Sequence, residues 1–248
     1  MLPIADDNSD NYTRPYVNYF IIAFNIIVFI FFQKFGTDST FTNGYATVPA
    51  EILSGNDIVT AGQSFVDPYT HQSFYLPGLT PTLIPVWLTL FTSMFMHGGF
   101  AHLAGNMLFL WIFGDNIENK LGHKRYLLFY LLTGVLASLS HVFATVMSAQ
   151  NSLVPCLGAS GAISGVMGAY IILFPQKKVK VFALMFIFTV PAFIALGFWI
   201  LFQILNGVGL LGGEDNSSVA YTAHIGGFIA GILFIKLFEK RKVELYLK

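Results

Sequence analysis

Long uncharged apolar stretches alternate with short polar, charged ones along the chain, and the breaks between them predict six helices. Residues 1–14 are polar and carry Asp6, Asp7, Asp10 and Arg14. A cleavable signal would begin basic and reach its apolar centre sooner, so a retained anchor is expected. Pro15 to Gln33 runs 19 residues without a charge, enough to span a bilayer at ~1.5 Å per residue. No charge lies between Asp67 and Asp115, but Pro68, Pro77, Pro81 and Pro85 delay the second helix to about Phe100–Asn119. Val86–Met96 before it is apolar and Trp-bearing, and reads as an interfacial segment. The uncharged run from Arg125 to Lys177 is too long for one helix. Gln150, Asn151 and Pro155 divide it into Tyr126–Met147 and Ser160–Phe174. Val181–Leu205, with Pro191 as a kink, and Val219–Phe238 complete the set. The expected fold is therefore all-α and polytopic: a tail (1–14), a six-helix membrane domain (15–238) with a long outer loop (about 35–96), and a basic tail (239–248).

Composition narrows the class. Apolar residues make up 55% of the chain and charged ones 10%, against the usual ~25% of a soluble domain, and mean hydropathy is +0.66. So few charges exclude disorder and an ordinary soluble enzyme. Zero net charge offers no footprint for nucleic acid. Cys156 stands alone, so no internal disulfide is possible. Charge placement gives orientation. With the N-terminus in the cytoplasm, twelve of the thirteen Lys and Arg residues fall inside and only Lys34 outside, while the outer loops hold Asp38, Glu51, Asp57, Asp67, Glu214 and Asp215. This follows the positive-inside rule and places both termini in the cytoplasm.

Polar groups at membrane depth are functional candidates by default. The fourth span has about 15 residues, fewer than the ~20 a bilayer needs. Gly158-Ala159-Ser160-Gly161 must then open it below the outer surface, and irregular backbone at that depth needs a cavity or a protein cover. A serine at a helix N-terminus, in the floor of a polar cavity, results; the plain alternative is a helix cap. His224, in Ala223-His224-Ile225-Gly226-Gly227, lies at similar depth early in the last span. Gly227 and Gly231 share its face, and Gly161, Gly165 and Gly168 make the fourth span small-faced, so the two helices can approach closely. In His97-Gly-Gly-Phe-Ala-His102-Leu-Ala-Gly-Asn106, His102 and Asn106 are four apart on one helix face and are candidate oxyanion donors. Nucleophile, base and oxyanion donors thus fall at one depth. The competing chemistry is a zinc site from His97, His102, His141 and His224, although no carboxylate lies within these spans to assist.

These blocks, together with Glu118-Asn-Lys-Leu-Gly122 at the inner end of the second span, closely resemble the rhomboid family of intramembrane serine proteases, bacterial type. The resemblance covers about Trp87 to Lys240. It implies a six-helix bundle with a short central fourth helix, a Ser–His dyad, no cofactor and no metal. It makes Ser160 the nucleophile and His224 the base, with His102, Asn106 and the Ser160 N–H as the oxyanion hole. It implies transmembrane protein substrates cut near the outer face, the lipid bilayer as partner, a multi-pass location in a bacterial inner membrane, and the fifth helix as a lateral gate with Trp199 and Phe198. Trp87-Leu88 stands where many members carry Trp-Arg. Ser164 stands where some carry a tyrosine that stacks on the base; its hydroxyl either orients His224 or bonds its own helix. A catalytically inactive rhomboid-like binder of transmembrane segments is the alternative of another class.

Overall fold

In the computed structural model, described for residues 1–66, 73–76, 78–148, 151–210 and 220–239, the chain is mostly helical. The order begins with strand β1 (Leu2–Asp6) and helix α1 (Tyr16–Ile27), which continues as one π-helical turn through Phe32. The outer loop holds α2 (Ser39–Tyr45), α3 (Pro49–Ser54), the hairpin β2 (Gln63–Val66) and β3 (Ser73–Leu76), and α4 (Thr89–Thr92) between two 3₁₀ turns. Then come α5 (Phe100–Leu121), α6 (His123–Met147), α7 (Ser160–Leu173), β4 (Lys178–Ala183), β5 (Phe186–Pro191), α8 (Ala192–Gly207) and α9 (Tyr221–Phe238). Helices α6 and α9 are long and apolar enough to cross a membrane; α1 with its π turn, α7 and α8 are shorter apolar helices. Val219, the expected start of the last span, and 240–248 of the expected basic tail lie outside the described residues.

The expected all-α fold is corrected at two places, the hairpin β2–β3 in the long loop and, within an expected span, Lys178–Pro191. Lys178–Pro191 is a β-hairpin, not the first half of a long fifth span. It adds to β1 to make a three-stranded antiparallel sheet of order β1–β4–β5. The run Val-Lys-Val-Phe-Ala-Leu-Met-Phe-Ile-Phe-Thr-Val is rich in β-branched and aromatic residues, which a pleated surface accommodates. Pro191 does not kink a helix. It is the N-cap of α8, its ring disfavouring helix in the residue before it. The all-helix expectation failed because a continuous apolar run has no period to tell a strand from a span.

Helix α7 is the axis of the bundle, and ten of its fourteen residues are buried. Its glycines set the spacing to α9. A Cβ on Gly227 would sit 2.1 Å from the Gly161 carbonyl oxygen, and one on Gly231 would sit 2.0 Å from that of Gly165. The two backbones therefore touch without intervening side chains, as small residues in membrane helices allow. At the far end from Ser160, the buried Glu118 carboxylate accepts the N–H groups of Val17 (2.9 Å) and Asn18 (2.7 Å), closing the N-terminus of α1 from another helix.

Candidate active site

Ser160 is the first residue of α7, and His224 lies in the first turn of α9. The glycine contacts bring these two helix starts together, and His224 Nε2 lies 2.7 Å from Ser160 Oγ. The other ring nitrogen, Nδ1, lies 2.8 Å from Gln203 Oε1 on α8. An amide oxygen only accepts, so Nδ1 carries the proton and Nε2 is left bare to accept the serine hydroxyl. Ser160, His224 and Gln203 thus form a line of hydrogen bonds across three helices. Gln203 is 6% exposed. It is a polar side chain in the middle of an apolar run, the same signal that singled out His224, and weighing it by that rule would have found it in the sequence.

Ser164 takes the local option. Its hydroxyl donates to the Ser160 carbonyl oxygen at 2.6 Å, one turn back on its own helix. The second nitrogen of His224 therefore meets Gln203, not Ser164.

His102 and Asn106 face the same space. A cavity of about 310 Å³ is lined by His102, Asn106, Ser160 and His224 together with Ser93 and Gly158. The Gly98 N–H approaches His102 Nδ1 at 3.4 Å, an orientation that leaves Nε2 of the neutral ring as a donor. Asn106 Nδ2 is buried and meets no acceptor among the described residues. Gly158 has φ +127°, and a Cβ there would lie 2.9 Å from the His102 ring, so only glycine serves two residues before Ser160.

The loop leading to Ser160 is fixed from the outer loop by main-chain bonds. Thr47 and Cys156 exchange N–H···O bonds of 3.0 and 2.8 Å, Ala50 N donates to Ser152 O, and Gly158 N donates to Ser93 O, each at 2.9 Å. Behind His102, the buried His97 is held by Gln33, whose amide accepts from its N–H and donates to its carbonyl, both at 2.9 Å. Its ring meets His102 edge-on with centroids 5.2 Å apart.

A second space of about 330 Å³ shares His102, Asn106, Ser160 and His224 but lies between α5 and α8, against Phe109, Met167, Trp199 and Phe202. The two residues expected at the gate part company here. Trp199 faces inward, tilted 35° to the His224 ring at 5.9 Å and also near Phe109 and Phe228. Phe198 is 58% exposed on the outside of α8. The four histidines considered for zinc do not share a point. His141 Nδ1 is paired with Thr222 Oγ1 at 3.0 Å, and among the described residues no three His, Cys, Asp or Glu side chains are grouped as metal ligands.

A family profile, the Rhomboid domain, matches residues 85–241. The chain belongs to the rhomboid family. It is similar to Rhomboid protein 1, mitochondrial, of Saccharomyces cerevisiae, 34% identical over 148 residues that are 59% of this chain and 40% of that protein. It is 37% identical to the rhomboid protease GluP of Bacillus subtilis over 148 residues, 58% of this chain and 25% of that one. It is 28% identical to the putative rhomboid protease YdcA of the same organism over 162 residues, 64% of this chain and 71% of the relative. The chain thus spans well under half the length of the first two. As a rhomboid, with apolar helices whose outer faces carry exposed Phe, Leu and Ile, it is an integral membrane protein.

Proposed function

We propose that this rhomboid is an intramembrane serine endopeptidase that cuts transmembrane segments of other membrane proteins near the outer face of the bilayer. The observation that carries the reading is the 2.7 Å approach of Ser160 Oγ to His224 Nε2, with Gln203 accepting from the opposite nitrogen. His224 takes the hydroxyl proton as Ser160 attacks a peptide carbonyl, then returns it to the leaving amine. Asn106 Nδ2, His102 Nε2 and the unpaired N–H groups that open α7 supply donors for the tetrahedral oxyanion. Water from the space beside Ser93 hydrolyses the acyl-enzyme, while the substrate segment enters through the space between α5 and α8, past Trp199. Gln203 acts as a positioning residue for the base.

The same reading includes six spans with both termini in the cytoplasm of a bacterial cell, a membrane domain over 15–238 and an outer loop over 35–96. It is supported by the asymmetry of Lys and Arg along the chain and by a helix within each expected span, the fifth keeping only its second half, Ala192–Gly207. The test uses the full chain in proteoliposomes with a labelled single-span substrate. Wild type is expected to release two fragments and to be labelled by a serine-directed fluorophosphonate. Ser160→Ala and His224→Ala are expected to lose both signals with an unchanged melting temperature. Cleavage by purified Ser160→Ala would overturn the reading.

A further inference from the structure

The sheet β1–β4–β5 packs one face on the bundle. Pro3, Val179 and Val181 on that face are buried. Residues directly opposite in an antiparallel pair share a face. Val181 lies opposite Phe188 and Ala183 opposite Phe186, so the buried face continues through these two phenylalanines. Yet Phe188 is 43% and Phe186 67% exposed. The apolar face runs off the edge of the bundle, its inner half buried and its outer half left increasingly exposed toward the turn.

The turn joining the strands adds an independent observation. Leu184 and Met185 form the two-residue connection, with φ +49° and +69°. Two positive φ values in such a turn make it type I′, whose positions favour Asn-Gly. Here they hold two large apolar side chains that are 86% and 82% exposed. In water this would combine backbone strain with exposed hydrocarbon at the same two residues. Phe182 and Ile187 on the opposite face are also exposed, so the tip is apolar all round.

We propose that this hairpin tip is embedded in the bilayer leaflet at the Glu118 end of the bundle, as a third kind of membrane contact beside the spans and the outer loop. Two features commit it to lipid. The overhang is continuous with the lipid-facing surface, because β5 passes through Pro191 directly into α8, whose Phe193, Phe198 and Leu201 are exposed. Lys178 and Lys180, exposed on the other face of β4, stand at the base of the hairpin. Lys180 is four residues from Leu184, about 13 Å along a strand, so its ammonium reaches anionic headgroups while the tip lies at the acyl boundary. β5 is the edge strand, and its unpaired amides need headgroups or water. The tip therefore stays at the interface and does not cross the bilayer. The inference rests on the membrane character of the chain and not on the catalytic reading.

The experiment uses the full chain in a Cys156→Ala background, with a nitroxide at Met185→Cys, reconstituted in vesicles of phosphatidylcholine and phosphatidylglycerol. Collision with oxygen and with a water-soluble nickel chelate gives the depth. The label is expected to resemble one at Leu233→Cys on α9, several-fold less accessible to nickel than one at Tyr12→Cys. Adding Lys178→Glu and Lys180→Glu is expected to raise its nickel accessibility. Phe186→Cys, outside the positive-φ turn, repeats the measurement should Met185→Cys fail to fold. Nickel accessibility equal to that of the Tyr12 label would overturn the proposal. So would spin–spin broadening that vanishes on dilution with unlabelled chain, which would assign the tip to a second copy.

Discussion

Replacing Gln203 by methionine keeps the length and burial of the side chain and removes the oxygen that faces His224. In the native arrangement Gln203 Oε1 accepts from Nδ1 at 2.8 Å, which selects the tautomer with a bare Nε2. Without it, a buried N–H is left unpaired at a cost of about 1–3 kcal/mol. The ring escapes that cost by moving its proton to Nε2 or by turning, and in either state it cannot accept from Ser160. At about 1.36 kcal/mol per tenfold, kcat should fall roughly 5- to 150-fold. The loss should stay below the ~10⁴-fold of a wrong-tautomer triad, where the orienting group is a charged carboxylate. KM should move less than kcat, since Gln203 acts through His224. The assay is fragment release in proteoliposomes, paired with ¹⁵N spectra of the labelled histidines. The wild-type spectrum should show His224 protonated at Nδ1, and Gln203→Met should show the other tautomer or a mixture. Gln203→Glu retains an acceptor at the same reach and should recover most of the rate. Wild-type turnover in Gln203→Met, with the Nδ1 proton still in place, would refute the positioning role.

The same geometry sets further expectations. Asn106→Ala should lower kcat by up to roughly 10²–10³ with little change in KM, the loss softened by His102; an effect on KM alone would reassign Asn106 to substrate contact. Gly227→Val should lower both melting temperature and activity, because even a Cβ would lie 2.1 Å from a backbone oxygen that cannot turn aside. Burial, reinforced by the Asp115 carboxylate, pushes Asp6 up to about 7 from its ordinary value near 3.8, although Tyr170 donates to it at 2.6 Å. Between those values the unfolded state loses its proton while the folded state keeps it, so stability should fall as pH rises from about 4 to 7 and then level off. Asp6→Asn should flatten that slope in thermal melts across pH; an unchanged slope would mean that another group sets it.

Helices within the apolar runs, and the polar blocks that interrupt them, were legible because lipid forbids charges and unpaired backbone over long stretches, leaving a coarse pattern. Ser160 and His224 were legible because each breaks an apolar run beside glycines. The hairpin was not, since Val181–Pro191 is apolar at every position after Lys180 except Thr189, and a strand buried or membrane-covered on both faces carries no alternation. Sequence spacing points from His224 to Ser164, one turn below Ser160, because it reports neighbours along a helix and not those across to the next. Gln203 is 21 positions from His224, and only the packing of α8 against α9 brings them together.

The loop before Ser160 hangs from the outer loop by peptide groups: Thr47 to Cys156, Ala50 to Ser152, Ser93 to Gly158. Every amino acid but proline offers the same N–H and every one the same carbonyl. Apart from Gly158, whose backbone demands glycine, residues along this seam can therefore change over generations without moving the serine. Divergence can accumulate there, and the long loop is free to be reshaped, while the floor it suspends stays at one height.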